Sequence, residues 1–184
     1  MKWFTASILS LGFIASNVQA APAAGLALFK LKVASSIKDL SGRYLSSNNN
    51  TIGVYPGDDT SAVKVYQTKS EMEGHIQLHT YPIGIVDHAL ALVGSDGLMN
   101  LRDMVNPSAT KPDDEVMEYD KFQVSTNNML TNDDSGRWVA LPTPAEAEES
   151  WTVRWTDGSA VMPADYMPIE IELESAGEGR WNTE

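Results

Sequence analysis

Apolar residues in this chain alternate with polar ones in short runs, and each run stops at Gly, Pro, Asn, Asp or Ser. A period of two puts every second side chain on one face of a strand, whereas an amphipathic helix needs a period of 3.6. The runs are Phe29–Val33, Arg43–Ser46, Thr51–Tyr55, Ala62–Tyr66, His75–Tyr81, Ala89–Val93, Leu98–Leu101, Lys121–Val124, Met129–Leu130, Arg137–Leu141, Trp151–Trp155 and Pro168–Leu173. Each has the length of a strand. In the last, Ile169, Ile171 and Leu173 share one face and Glu170, Glu172 and Glu174 the other, the pattern of a half-buried strand. The fold class expected is therefore all-β: a single domain of about twelve short strands over residues 27–174.

Two arrangements fit that count. Leu45, a polar turn and Ile52-Gly-Val54 form one hairpin; Leu92, Val93–Gly97 and Met99–Leu101 form a second. Leu130, Thr131–Gly136 and Trp138–Ala140 read as a third. The strands Val63–Val65, Phe122–Val124 and Trp151–Val153 would follow them. Three such units are what a β-trefoil shows, because internal repeats decide architecture. Against it, the third unit has little between Val124 and Leu130, and the segment from Val105 to Asp120 is long. A two-sheet β-sandwich stays open, with the trefoil-like arrangement preferred.

The ends read differently from the middle. Met1-Lys2-Trp3 is a basic start, Phe4 to Ile14 is mostly apolar, and Val18-Gln19-Ala20 supplies the small residues of a cleavage site. That is a signal peptide over residues 1–20, too short to cross a bilayer. Residues 21–26 are expected to be a flexible arm and 175–184 a flexible tail, since neither carries an apolar period. The exported chain would have no cysteine, so thiol nucleophiles, thiolate metal sites and disulfide staples are excluded. With 25 Asp+Glu against 13 Lys+Arg the formal charge is −12. Such a surface repels nucleic acid and anionic membranes.

Chemistry-bearing residues are few in pattern. His75 and His79 share a strand face but lie about 13 Å apart along it, too far for one zinc ion, and His88 joins them only if the link from Pro82 to Val86 folds back. The acidic runs Asp58-Asp59, Asp113-Asp114-Glu115 and Asp133-Asp134 fall in turns and lack calcium-loop spacing. No Gly-x-Ser-x-Gly elbow and no phosphate-binding Gly-rich loop is present. The expectation is no catalytic residue, no metal and no cofactor. Trp138, Trp151, Trp155 and Tyr166 are the candidate glycan contacts, as stacking rings; the preferred expectation is that they fill the core, where aromatics bury large areas. Trp181 falls in the expected tail. Asn49-Asn50-Thr51 is a glycosylation acceptor at Asn49, in a predicted polar turn.

Three stretches carry a resemblance: Leu40–Leu45, Leu78–Leu90, and Trp151–Trp155 running on to Tyr166-Met-Pro168. Together they resemble small secreted proteins of filamentous fungi labelled IgE-binding proteins, which are loosely similar to phialide and conidial cell-wall proteins. The chain differs from the phialide proteins in lacking cysteine. The resemblance implies a secreted, non-enzymatic, wall- or surface-associated glycoprotein, met by hosts as an allergen and linked to spore or wall development. It implies wall polysaccharide or other wall components as partners. Two other expectations stand beside it: a lectin-like carbohydrate-binding module using loops around Asn100, Asn128 and Trp138, and a glycan hydrolase without a familiar motif.

Overall fold

The structure is a computed structural model that describes residues 25–95, 97–110, 115–132, 135–143 and 150–180. The expected signal peptide, Trp181 and the pairs Asp113-Asp114 and Asp133-Asp134 lie outside the described residues. Thirteen strands form among those described: β1 (Leu26–Ala34), β2 (Ser46–Asn48), β3 (Thr51–Val54), β4 (Lys64–Lys69), β5 (Ile76–Tyr81), β6 (His88–Ser95) and β7 (Leu98–Val105), followed by β8 (Val116–Glu118), β9 (Phe122–Val124), β10 (Met129–Asn132), β11 (Arg137–Pro142), β12 (Trp151–Thr156) and β13 (Met167–Gly179). The protein is all-β, and every alternating run of the sequence overlaps one of these strands or its flank.

Pairing decides between the two arrangements. Strands β1, β4, β5, β9, β10 and β13 pair in that order, all antiparallel, and β13 returns to β1. This is a closed six-stranded ring, and closure removes sheet edges. The hairpins β2–β3, β6–β7 and β11–β12 are joined to one another by β3–β7, β3–β12 and β7–β12 pairs. A six-stranded barrel with three associated hairpins is the β-trefoil arrangement. A sandwich would instead split the ring into two sheets.

The expected phase of the third repeat is corrected. Leu130 and Trp138 do not pair as a hairpin, because β10 pairs with β9 and β13 as a barrel strand. The third hairpin is β11–β12, joined through residues 143–150, and the barrel strand that follows is β13, not Trp151–Val153. Once re-phased, the repeats start at Leu26, Ile76 and Met129. The short link after Val124 is then the turn between two repeats rather than a missing strand. The extra strand β8 arises within the long Val105–Asp120 segment. It pairs with β6 and is tied by Glu118, which accepts from Lys121 Nζ (2.7 Å) and from Asn132 Nδ2 (2.9 Å).

The tail expectation is also corrected. β13 continues through Ser175 to Gly179, and Leu26, Ala27, Leu28 and Phe29 pair with Gly179, Glu178, Gly177 and Ser175. Leu26, assigned to the arm, is therefore strand as well. A bulge absorbs one residue opposite Leu28/Phe29, where Gly177 takes φ +91°. That left-handed conformation is one that glycine adopts at little cost. Ladder hydrogen bonds need backbone only, which is why a stretch with no apolar period can still be strand.

The core runs along the barrel axis and into the hairpins, with Leu31, Val65, Leu78, Leu101, Phe122 and Ile171 among its fully covered side chains. Outside the barrel, Lys32 Nζ meets Glu174 Oε2 at 2.6 Å and the Tyr44 hydroxyl also donates to Glu174. The outer face of the β1–β13 ladder is thus charged while its inner face is aliphatic.

Candidate functional site

Trp138, Trp151 and Trp155 are only 3%, 6% and 3% exposed. Trp138 stands edge-on to Trp155 with centroids 5.0 Å apart, and its Nε1 donates to Leu130 O at 2.6 Å. These rings are core, so the expectation of a glycan-stacking platform on them is corrected. Each lies on a cap strand whose inward face is shared with Ala140 and Val153, and aromatics bury most area there. Tyr166 is half-buried, with the Arg137 guanidinium 5.9 Å from its ring centre. Asn100, Asn128 and Trp138 stand on separate elements: Asn100 within β7, Asn128 in the β9–β10 turn and Trp138 in β11. Asn49 is exposed in the two-residue turn of β2–β3, where Asn49 and Asn50 both have positive φ, a type I′ hairpin. Asp58 closes its own turn by accepting from Thr60 N at 3.0 Å, and these hydrogen bonds, the Thr60 hydroxyl first, hold its carboxyl below the usual range.

The three histidines have separate partners. His75 Nδ1 lies 2.9 Å from Glu73 O and its Nε2 2.9 Å from Gln123 Nε2. His79 stacks on Tyr66 with centroids 5.3 Å apart, and its Nδ1 lies 2.7 Å from Asp87 Oδ1. His88 Nδ1 lies 3.5 Å from Asp103 Oδ1. Among the described residues no group of three His, Asp or Glu is placed to hold a metal ion.

His88 leads to the most developed site. Where β4 enters the barrel and β5 leaves it, Lys64 opposite Tyr81, a cleft of about 480 Å³ opens between the first and second repeats. Val63, Pro82, Ile85 and Val86 form its apolar walls, and Thr80, His88 and Asp103 supply the polar groups. All three polar residues stand on inward faces. Thr80 extends the row of Ile76 and Leu78, His88 that of Leu90 and Leu92, and Asp103 that of Met99 and Leu101. The alternation would put aliphatic side chains at these places; Asp103 is largely covered there, at a cost in stability, while the His88 side chain is 40% exposed at the mouth. Breaks of this kind concentrate at functional sites.

The electrostatics agree. The Asp103 side chain is 17% exposed, and burial pushes its carboxyl above the usual carboxylate range, opposed by His88 and by the Thr80 hydroxyl. Thr80 Oγ1 is 3.4 Å from Asp103 Oδ1, so both polar neighbours sit at the long limit of hydrogen bonding. A carboxylate raised by burial in a cleft is a candidate for a binding or acid–base site. In the sequence His88 was visible only as one of three histidines, and Thr80 and Asp103 carried no signal at all. The one available clue was a polar residue at the inward phase of each strand, which requires the strand register to be known.

The other two seams differ. Between the third and first repeats, where Ala34 faces Glu170, a shallow hollow of about 440 Å³ is lined by Ser35, Ser36, Arg137, Trp138, Pro168 and Glu170 among others. Between the second and third, where Phe122 faces Asn132, Asn132 is buried against Glu118. The chain matches no protein-family model, no curated protein and no solved structure.

Proposed function

We propose that this chain is a secreted, non-catalytic surface or cell-wall protein that works by holding glycan in the cleft of Thr80, His88 and Asp103. The observation that carries this is the convergence of those three polar groups beside an apolar wall. A sugar ring presents hydroxyls on its edge and C–H groups on its faces. A carboxylate can accept two hydroxyls at once, an imidazole and a hydroxyl can donate or accept, and Val63, Pro82 and Val86 can cover the apolar face. The leader-like first twenty residues and the resemblance to secreted fungal wall proteins support the compartment. Exposure at a surface would also account for the antigenicity that the resemblance implies.

The test is retention on insoluble wall polysaccharides and a glycan array, comparing the wild type with Asp103→Asn. Retention by the wild type and loss by the variant is the expected result. No retention on any glycan by a folded wild type would overturn the proposal.

One observation favours a hydrolytic second reading: a carboxyl raised by burial beside an imidazole is suited to acid–base work. Retaining and inverting glycosidases use two carboxyls roughly 5–10 Å apart. Release of reducing ends from a retained glycan, abolished by Asp103→Asn, would replace binding with turnover.

A further inference from the structure

We infer that the unit selected by the cleft is a cationic amino sugar, its ammonium held by Asp103, rather than a neutral one. The inference rests on the glycan-binding proposal and adds the charge of the ligand. Asp103 faces inward from β7, and burial raises the cost of its charge. Its neighbours compensate that charge weakly: the Thr80 hydroxyl is neutral, and His88 stands off at 3.5 Å. A carboxylate so placed is short of a cation. Among the described residues, no lysine or arginine pairs with Asp103. His79 and Asp87 are engaged with each other at 2.7 Å, and Lys64 lies on the opposite strand face from buried Val65, outside the barrel.

An ammonium entering this cleft would form a charge-assisted hydrogen bond in a partly desolvated place, roughly twice as strong as a neutral one. The sugar body would lie against Val63, Pro82 and Val86. At the scale of the whole molecule, the formal charge of −12 raises the local concentration of cationic ligands around the mouth. That long-range attraction is screened by salt, whereas the contact at Asp103 is screened much less.

The experiment is calorimetric titration of the full chain with a glucosamine oligomer and with the same oligomer N-acetylated, at about 0.15 M and about 0.5 M salt. N-acetylation removes the charge and keeps the ring. The free amine should bind about tenfold tighter, a ratio worth 1.4 kcal/mol. Most of that preference should survive the higher salt, and Asp103→Asn should erase it. Ile85 is fully exposed at the lip, so Ile85→Lys leaves packing untouched and should weaken the free-amine oligomer by repulsion. Equal, Asp103-dependent binding of both oligomers would overturn the inference and leave the glycan proposal standing. A preference that persists in Asp103→Asn, or is lost at high salt, would assign it to the acidic surface and overturn the inference as well. Binding of neither oligomer, with another glycan bound through the cleft, would also overturn it. No binding of any glycan would sink both.

Discussion

At Gly136 the backbone runs against the indole of Trp155: a Cβ there would sit 2.3 Å from the ring atoms. Neither can shift easily, since Trp155 is packed edge-on to Trp138. Gly136→Ala should therefore cost about 1–3 kcal/mol, as overpacking does, measured by denaturant unfolding. Asp103 makes the opposite prediction. Its carboxyl keeps its proton to higher pH in the folded chain than in the unfolded one, because burial disfavours the anion. The native state then binds more protons between about pH 3.9 and the raised value, so this residue's contribution to stability falls as pH rises through that window. Asp103→Asn should melt at the same temperature as the wild type or higher at pH 7, with a flatter pH profile above pH 4. A lower melting temperature would mean that the carboxylate is a structural partner and not a ligand group.

At the scale of elements, the two strands that close the ring, β1 and β13, are joined outside the barrel by Glu174. The Lys32 ammonium, and next the Tyr44 hydroxyl, hold the Glu174 carboxyl below the usual range. A lowered carboxyl stabilises above its unfolded pKa of about 4.3, and that stabilisation is lost as pH falls through the folded value. Glu174→Gln should flatten the acid limb of the stability curve and leave the melting temperature near pH 9 close to its value at pH 7. Element identity was largely legible: twelve alternating runs overlapped strands or their flanks because a period of two is local. Hairpin partnership was not. Leu130 and Trp138 stand the right distance apart for a hairpin, and nothing local says that Leu130 belongs to the barrel. The Asn49-Asn50 turn, in contrast, was legible, because positive φ at both positions is a local demand that asparagine meets.

For the whole molecule, ring closure is the decisive event, and it extends into the segment expected to fray. A chain ending at Glu174 would lose the pairing of Leu26–Phe29 with Ser175–Gly179. At about 1 kcal/mol per hydrogen bond, the loss should be on the order of 3 kcal/mol. Amide exchange in the intact chain checks the same point: amides of the ladder between Ser175 and Gly179 should be protected with the barrel. Exchange there at the rate of free chain would contradict a closed ring.

The sequence by itself determined the fold class, most of the strands, the aliphatic inner face and the acidic surface. All of these follow from which side chains alternate along a few residues and from their total charge. Tertiary structure alone decided the phase of the third repeat, the burial of the three tryptophans and the strand character of the tail. It also brought Thr80, His88 and Asp103 to one cleft. Each of these depends on which strand lies beside which, and hydrogen bonds between distant segments leave no period in the sequence. The three polar side chains meet only because β4, β5, β6 and β7 converge where two repeats join.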